Sequence, residues 1–416
     1  MKLLVAAIAF AAICACNVEN TTPDTGGVGG LGGSGACPSG VSVMLSDYAS
    51  SQVALSTLAG ETLSRSFMST GSAKTDGLSF ALSGDVVLPS TRNRSNRVVL
   101  IDRFGTNVLT WADPESGKVL GQLAVGTGFE SNPSDYLELD DGTAFVSRFG
   151  QNNDPGQQPF DDGGDLLVID SERREIVDSV VFEASDGLPP RPTGMTRVGN
   201  TVLVSLGRVS LDFSSTGESE LAGVSVASHE IEFRVRYAGL KSCGRATPSP
   251  SGKLLAVACS GRLDTHGTVA SVEESALVLL DAQSMPPREL RRLPAVALAA
   301  EPIQNGVVFA SESLLLFKTQ TSDNGVANNR WLALNLASGD VTTLLQASPD
   351  AQGKGRGLLY GAMSCSPGCS DICLLADADL GVLQRVRITP NKPAEMLTPV
   401  VVDAESGLPP RDLVER

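Results

Sequence analysis

Three observations predict an all-β chain, a seven-bladed β-propeller closed by its C-terminal strand joining the N-terminal blade. One apolar–turn–apolar unit recurs seven times, long helical periodicity is absent, and an eleven-residue segment repeats four units later. The unit reads VALSTLAGETL, VLTWADPESGKVL, LLVIDSERREIV, GVSVASHEIEF, LVLLDAQSMPPREL, WLALNLASGDVTTL and LQRVRITPNKPAEML. Its marker is the residue after each apolar run: Thr57, Asp113, Asp170, Ala227, Asp281, Leu336 and Thr389, spaced by 56, 57, 57, 54, 55 and 53. Four short strands with their turns fit such a period, and the second β-rich run of each unit is then the outer strand of a blade.

In chain order, the sequence opens on an export signal. Lys2 supplies the charge, Leu3 to Ala12 is an apolar run too short to span a bilayer, and Ile13-Cys14-Ala15-Cys16 resembles a bacterial lipobox. Ala15 is small and Ile13 is bulky, so Cys16 is the lipidated residue rather than Cys14. Residues 1–15 are then the signal peptide, and loss of Lys2 takes the net charge from −15 to −15 − 1 = −16. Residues 16–40 are the lipidated cysteine and a Gly/Ser/Thr-rich tether, spanning on the order of 27 Å as a flexible coil. Gly27-x-Gly29-x-x-Gly32 has the spacing of a dinucleotide fingerprint, but no strand precedes it and no helix follows, so it is compositional.

The propeller occupies 41–416. Segments 181–191 (VFEASDGLPPR) and 401–411 (VVDAESGLPPR) agree at seven of eleven positions and lie 220 residues apart, four repeats. After Arg191 the chain enters an innermost strand; after Arg411 only DLVER remains, and the first blade lacks that strand. The C-terminus supplies it and removes the open sheet edges. Residues 78–113 hold three apolar runs, and the sequence does not say which is the second strand.

Six cysteines remain, an even number that favours disulfides in an exported chain. Cys243 and Cys259 flank the turn Ser249-Pro250-Ser251-Gly252 and face each other on paired strands. Cys365 and Cys373 centre on another hairpin tip, leaving Cys369 to meet Cys37. The competing reading is a C-x₃-C-x₃-C metal site, which lacks a histidine nearby. Connectivity among Cys37, Cys365, Cys369 and Cys373 stays open at this level.

The acidic balance argues against nucleic acid as a partner. Only two histidines, His229 and His266, are present. No G-x-S-x-G, S-x-x-K, H-E-x-x-H or phosphate-loop motif occurs, so no catalytic residue and no metal ligand is assigned. The acidic loop from Asn152 to Asp165 offers oxygens to Ca²⁺, the one cofactor the sequence admits; without fixed ligand spacing it reads first as a solvated loop. Insertions at 150–164, 207–220, 261–274 and 318–329 all fall between second and third strands, hence on one face, which marks a binding surface. Arg103, Tyr136, Arg148, Arg191 and Arg245 belong near that face, where arginines anchor carboxylates or phosphates bidentately. The competing reading is that each pairs with local Asp or Glu.

The blades resemble YVTN-type propeller repeats, although that string is absent. More closely, LSDYASSQVALSTLAGETLSRSFMSTGSA, LSGDVVLPS, VVLIDRFGTNVLTWADPESG, LLAVACSG with LVLLDAQSMPPRELRR, and SGLPPRDL resemble uncharacterised envelope lipoproteins of myxobacteria and their relatives. That resemblance implies fold and location and brings no catalytic residue. The expected function is a non-catalytic, monomeric module binding a small ligand or an envelope protein, held by its lipid to the cell envelope. Asn17 after the lipidated cysteine favours the outer membrane. The alternative is a propeller enzyme, a lactonase-like hydrolase or quinoprotein-like oxidoreductase, which needs Glu, Asp, Asn or His converging on the ring axis.

Overall fold

The computed structural model describes residues 36–72, 77–262, 271–319, 322–323, 326–327, 329–347, 361–390 and 392–416. Cys16, His266, the tether up to residue 35 and much of the last two insertions lie outside the described residues. Seven four-stranded antiparallel sheets form the ring. Blade two comprises Val86–Val87, Val98–Asp102, Val108–Ala112 and Val119–Ala124 from axis to rim. Blades three to seven repeat this order, and their outer strands end at Val181, Arg236, Pro294, Gln346 and Val401. Blade one is composite: Pro410–Glu415 lies innermost, followed outward by Val41–Ser46, Ser51–Ser56 and Thr62–Ser69. The C-terminal strand thus closes the ring. RVVLIDR is the second strand of blade two, and the run before it contributes only the two-residue inner strand.

Packing explains why the runs read as nearly continuous apolar stretches. A middle strand is covered on both faces by neighbouring blades. In Asp165–Asp170, Leu166 and Val168 pack toward blade four, while Leu167 and Ile169 pack toward blade two. In Leu254–Ser260, Leu255, Val257 and Cys259 face blade four, and Ala256 and Ala258 face blade six. Seven buried clusters result, one between each adjacent pair of blades, including the pair that joins chain end to chain start. Outer strands carry one buried face only, hence their alternation: Ile231–Arg236 runs half-buried, exposed, half-buried, exposed.

The repeated GLPPR segment has a physical role. Gly187 and Gly407 take φ of 74° and 67°, the left-handed turn that carries the outer strand across to the axis. The following arginine then staples the new inner strand to the loop after the second strand. Arg191 donates to the Val209 and Ser210 carbonyls at 3.1 and 3.3 Å, and Arg411 donates to the Ser46 carbonyl. Each lies over an aromatic ring, Phe149 and Phe213 for Arg191 and Tyr48 for Arg411.

Three disulfides, Cys37–Cys369, Cys243–Cys259 and Cys365–Cys373, fit an exported protein. No described helix is long and apolar enough to cross a membrane.

Candidate functional site

The ring axis holds two cavities that meet end to end. The upper, about 740 Å³, opens among the long insertions, with Phe149, Val209 and Phe213 at its mouth. The lower, about 320 Å³, opens on the opposite face, among the turns that follow the inner strands. Ser90, Arg245, Thr247, Val308, Met363 and Leu413 line both, so the two cavities adjoin at Arg245.

The five residues singled out from sequence divide sharply. Arg103 donates from Nε to Asp85 at 3.1 Å and forms an ion pair with it. Tyr136 is wholly buried in the cluster between blades two and three, its ring edge-on to Trp111 and its hydroxyl accepting from Trp111 Nε1 at 3.3 Å. Burial pushes its phenol up. Arg148 is also wholly buried; it grips Asp165 with Nε and Nη2, donates to the carbonyls of Val125 and Phe160 and to Thr127 Oγ1, and covers Phe129. Arg191 is spent on backbone carbonyls and two aromatic rings, and burial lowers its pKa. These four side chains are occupied within the fold.

Arg245 differs. It follows the bridged Cys243 and crosses Gly194 of blade four so closely that a Cβ there would lie 2.6 Å from its own Cβ. Its guanidinium has no hydrogen bond or ion pair to the described residues. Burial lowers its pKa, while the more distant Asp135, Glu415 and Asp412 act in the other direction.

Two axial carboxylates are committed to the neighbouring inner strands. Asp135 accepts the N–H groups of Ser90 at 2.8 Å and Met195 at 2.7 Å, tying blade three to the blades beside it. Asp412 accepts the Leu88 N–H at 2.9 Å, tying the closing strand to blade two. Burial raises both pKa values, that of Asp412 to about 6. The sequence singled out neither, nor Lys318, the last-but-one residue of strand Leu314–Thr319. Lys318 lines the upper cavity, donates to the Gly361 carbonyl, and is lowered by burial to about 8. The signal available was a charged residue ending an apolar run on the insertion side, LLLFKT.

Of the remaining sequence candidates, His229 is half-buried, with Nδ1 2.9 Å from Asp178 and its ring edge-on to Phe145. In the acidic loop, the Asp161 carboxylate accepts the N–H groups of Gly156, Gln157 and Gln158 at 2.8, 2.8 and 2.9 Å, which hold its pKa down. Among the described residues no three His, Cys, Asp or Glu gather as a metal-ligand group.

No family model matches the chain, and no curated relative matches it in sequence. Solved structures do. A candidate 6-phosphogluconolactonase of Bacteroides uniformis is 12% identical at a TM-score of 0.55, covering 90% of this chain and 99% of that one. A second candidate 6-phosphogluconolactonase, from Bacteroides fragilis, is 11% identical at 0.54, covering 90% and 97%. A protein of Lactobacillus plantarum is 12% identical at 0.55, covering 90% and 98%. At such identities the likeness shows the fold: this chain is a seven-bladed β-propeller.

Proposed function

We propose that the chain is a lipid-anchored envelope propeller, of the YVTN-like lipoprotein kind, that binds a small anionic ligand non-covalently in its axial cavity. The observation that carries the reading is Arg245, a guanidinium in an internal cavity without a protein acceptor among the described residues. A cation so placed loses hydration, and a carboxylate or phosphate with bidentate geometry restores what it lost. The four other sequence-marked side chains serve the fold and leave this role to Arg245. Phe149 and Phe213 at the mouth give an apolar part of the ligand a surface.

Lipid attachment at Cys16 accords with the way the chain enters the ring. Cys37 is bridged to Cys369, Ala36 and Pro38 line the lower cavity, and Arg92 donates to the Ala36 carbonyl at 2.9 Å. A tether leaving from that face turns the upper mouth away from the membrane.

The test is thermal unfolding with inorganic phosphate or benzoate against neutral glucose, on wild type and Arg245→Gln. Ligand at a hundred times its Kd adds about 2.7 kcal/mol to the wild type. An equal shift in the variant, or none in the wild type, would refute the reading.

A second reading is a lactonase-like hydrolase. Asp412 and Lys318, in one cavity, have pKa values displaced toward neutrality from opposite sides, as acid–base groups require. Lactone hydrolysis followed at constant pH, lost in Asp412→Asn, would support it over simple binding.

A further inference from the structure

We propose that Lys318 is a covalent capture site for carbonyl compounds, its amine condensing with a small aldehyde or 2-oxo acid in the upper cavity to form an imine. This goes beyond non-covalent anion binding and stands on a different side chain.

Lys318 is 4% exposed, the only buried lysine among the described residues. Lys118, Lys253 and Lys392 are exposed, and Lys241 pairs with Glu274 at 2.9 Å. No described carboxylate lies within ion-pair distance of the Lys318 ammonium, whose hydrogen-bond acceptor is the neutral Gly361 carbonyl. That acceptor is fixed in place, since a Cβ on Gly361 would fall 1.7 Å from the Ala376 oxygen. Asp412 lines the same cavity and favours the charged form from a distance, but burial outweighs it and favours the neutral amine, which donates one N–H and keeps its lone pair for attack. Burial lowers this group to about 8, which leaves about a fifth of it as free amine at pH 7.4. Arg245 lines the same cavity and is available to the anionic end of the incoming molecule.

The chemistry balances without a further reactant. The Nζ lone pair bonds to the carbonyl carbon while the carbonyl oxygen takes up a proton. The resulting carbinolamine then expels that oxygen as water, and the nitrogen retains a double bond to carbon. No electron acceptor or donor is consumed.

The experiment treats the purified full chain with pyridoxal or pyridoxal 5′-phosphate and cyanoborohydride at pH 7.5, followed by intact mass and peptide mapping. The expected result is one reduced adduct on Lys318, formed at least ten times faster than at Lys118, Lys253 or Lys392 and missing from Lys318→Met. Adducts on the exposed lysines without Lys318 overturn the proposal, as does unchanged stoichiometry in Lys318→Met. Mapping the wild type decides the matter even if the variant misfolds. The two probes separate this proposal from the anion reading: equal Lys318 labelling by both leaves imine capture standing and counts against Arg245 as anchor.

Discussion

Asp165→Asn isolates the arginine that the fold consumes from the one it leaves available. The Asp165 and Arg148 side chains are both 0% exposed, and the guanidinium reaches the carboxylate at 2.7 Å through Nε. Asparagine keeps the shape and deletes the charge, while Arg148 stays cationic. Its other acceptors, Val125, Phe160 and Thr127, are uncharged. Removing one partner of a buried pair costs about 3–5 kcal/mol, because the remaining charge is left uncompensated. At about 2.1 cal/mol/K per residue, a ring of roughly 370 residues has an unfolding entropy near 0.8 kcal/mol/K, so Tm falls by about 4–6 °C. Scanning calorimetry reads that shift, and it persists in 1 M NaCl because salt screens a buried pair poorly. A Tm within 1 °C of wild type, or a difference that vanishes in salt, would refute the assignment of Arg148 to the structural frame.

Arg245→Gln runs the other way: it removes a cation with no protein partner, so calorimetry should show less than about 1 kcal/mol lost, or a small gain. Deleting residues 410–416 strips blade one of its inner strand and the Asp412 bond to Leu88; size-exclusion chromatography should show aggregated rather than monomeric protein. The Cys243→Ser/Cys259→Ser double variant opens a loop of separation 16 and should lose about 3 kcal/mol in urea titration. Asp412 has a folded pKa of about 6, above an unfolded value near 3.9. As pH rises from 4 to 6 the unfolded chain releases that proton first, and wild type loses about 2 kcal/mol of stability. Asp412→Asn lacks that contribution, so unfolding free energies of the two proteins across that window should diverge by this amount.

The ring was legible because its period is carried by the third strands. Each is long, covered on both faces and followed by a polar turn, so Asp113, Asp170 and Asp281 mark the repeat plainly. Inner strands were less legible. Val86–Val87, Thr247–Pro248 and Met363–Ser364 have two residues each, too few to show alternation, which is why 78–113 resisted division into strands. Closure was readable because the GLPPR segment recurs at the entry to both Pro192–Val198 and Pro410–Glu415. Site residues were harder. Arg148 and Arg245 are the same residue type near the same face, and only three-dimensional neighbours show that Asp165 claims one of them. Lys318 and Asp412 stand in strands whose pattern signals packing, and nothing local marks their side chains as lining a cavity.

The central claim is that Arg245 holds an anion on the ring axis. Anomalous diffraction from crystals soaked in selenate tests it most directly. The expected result is a selenium peak in the upper cavity with oxygens within hydrogen-bond distance of the Arg245 guanidinium, absent from Arg245→Gln crystals. Selenium found only at surface arginines, with none beside Arg245, would contradict it.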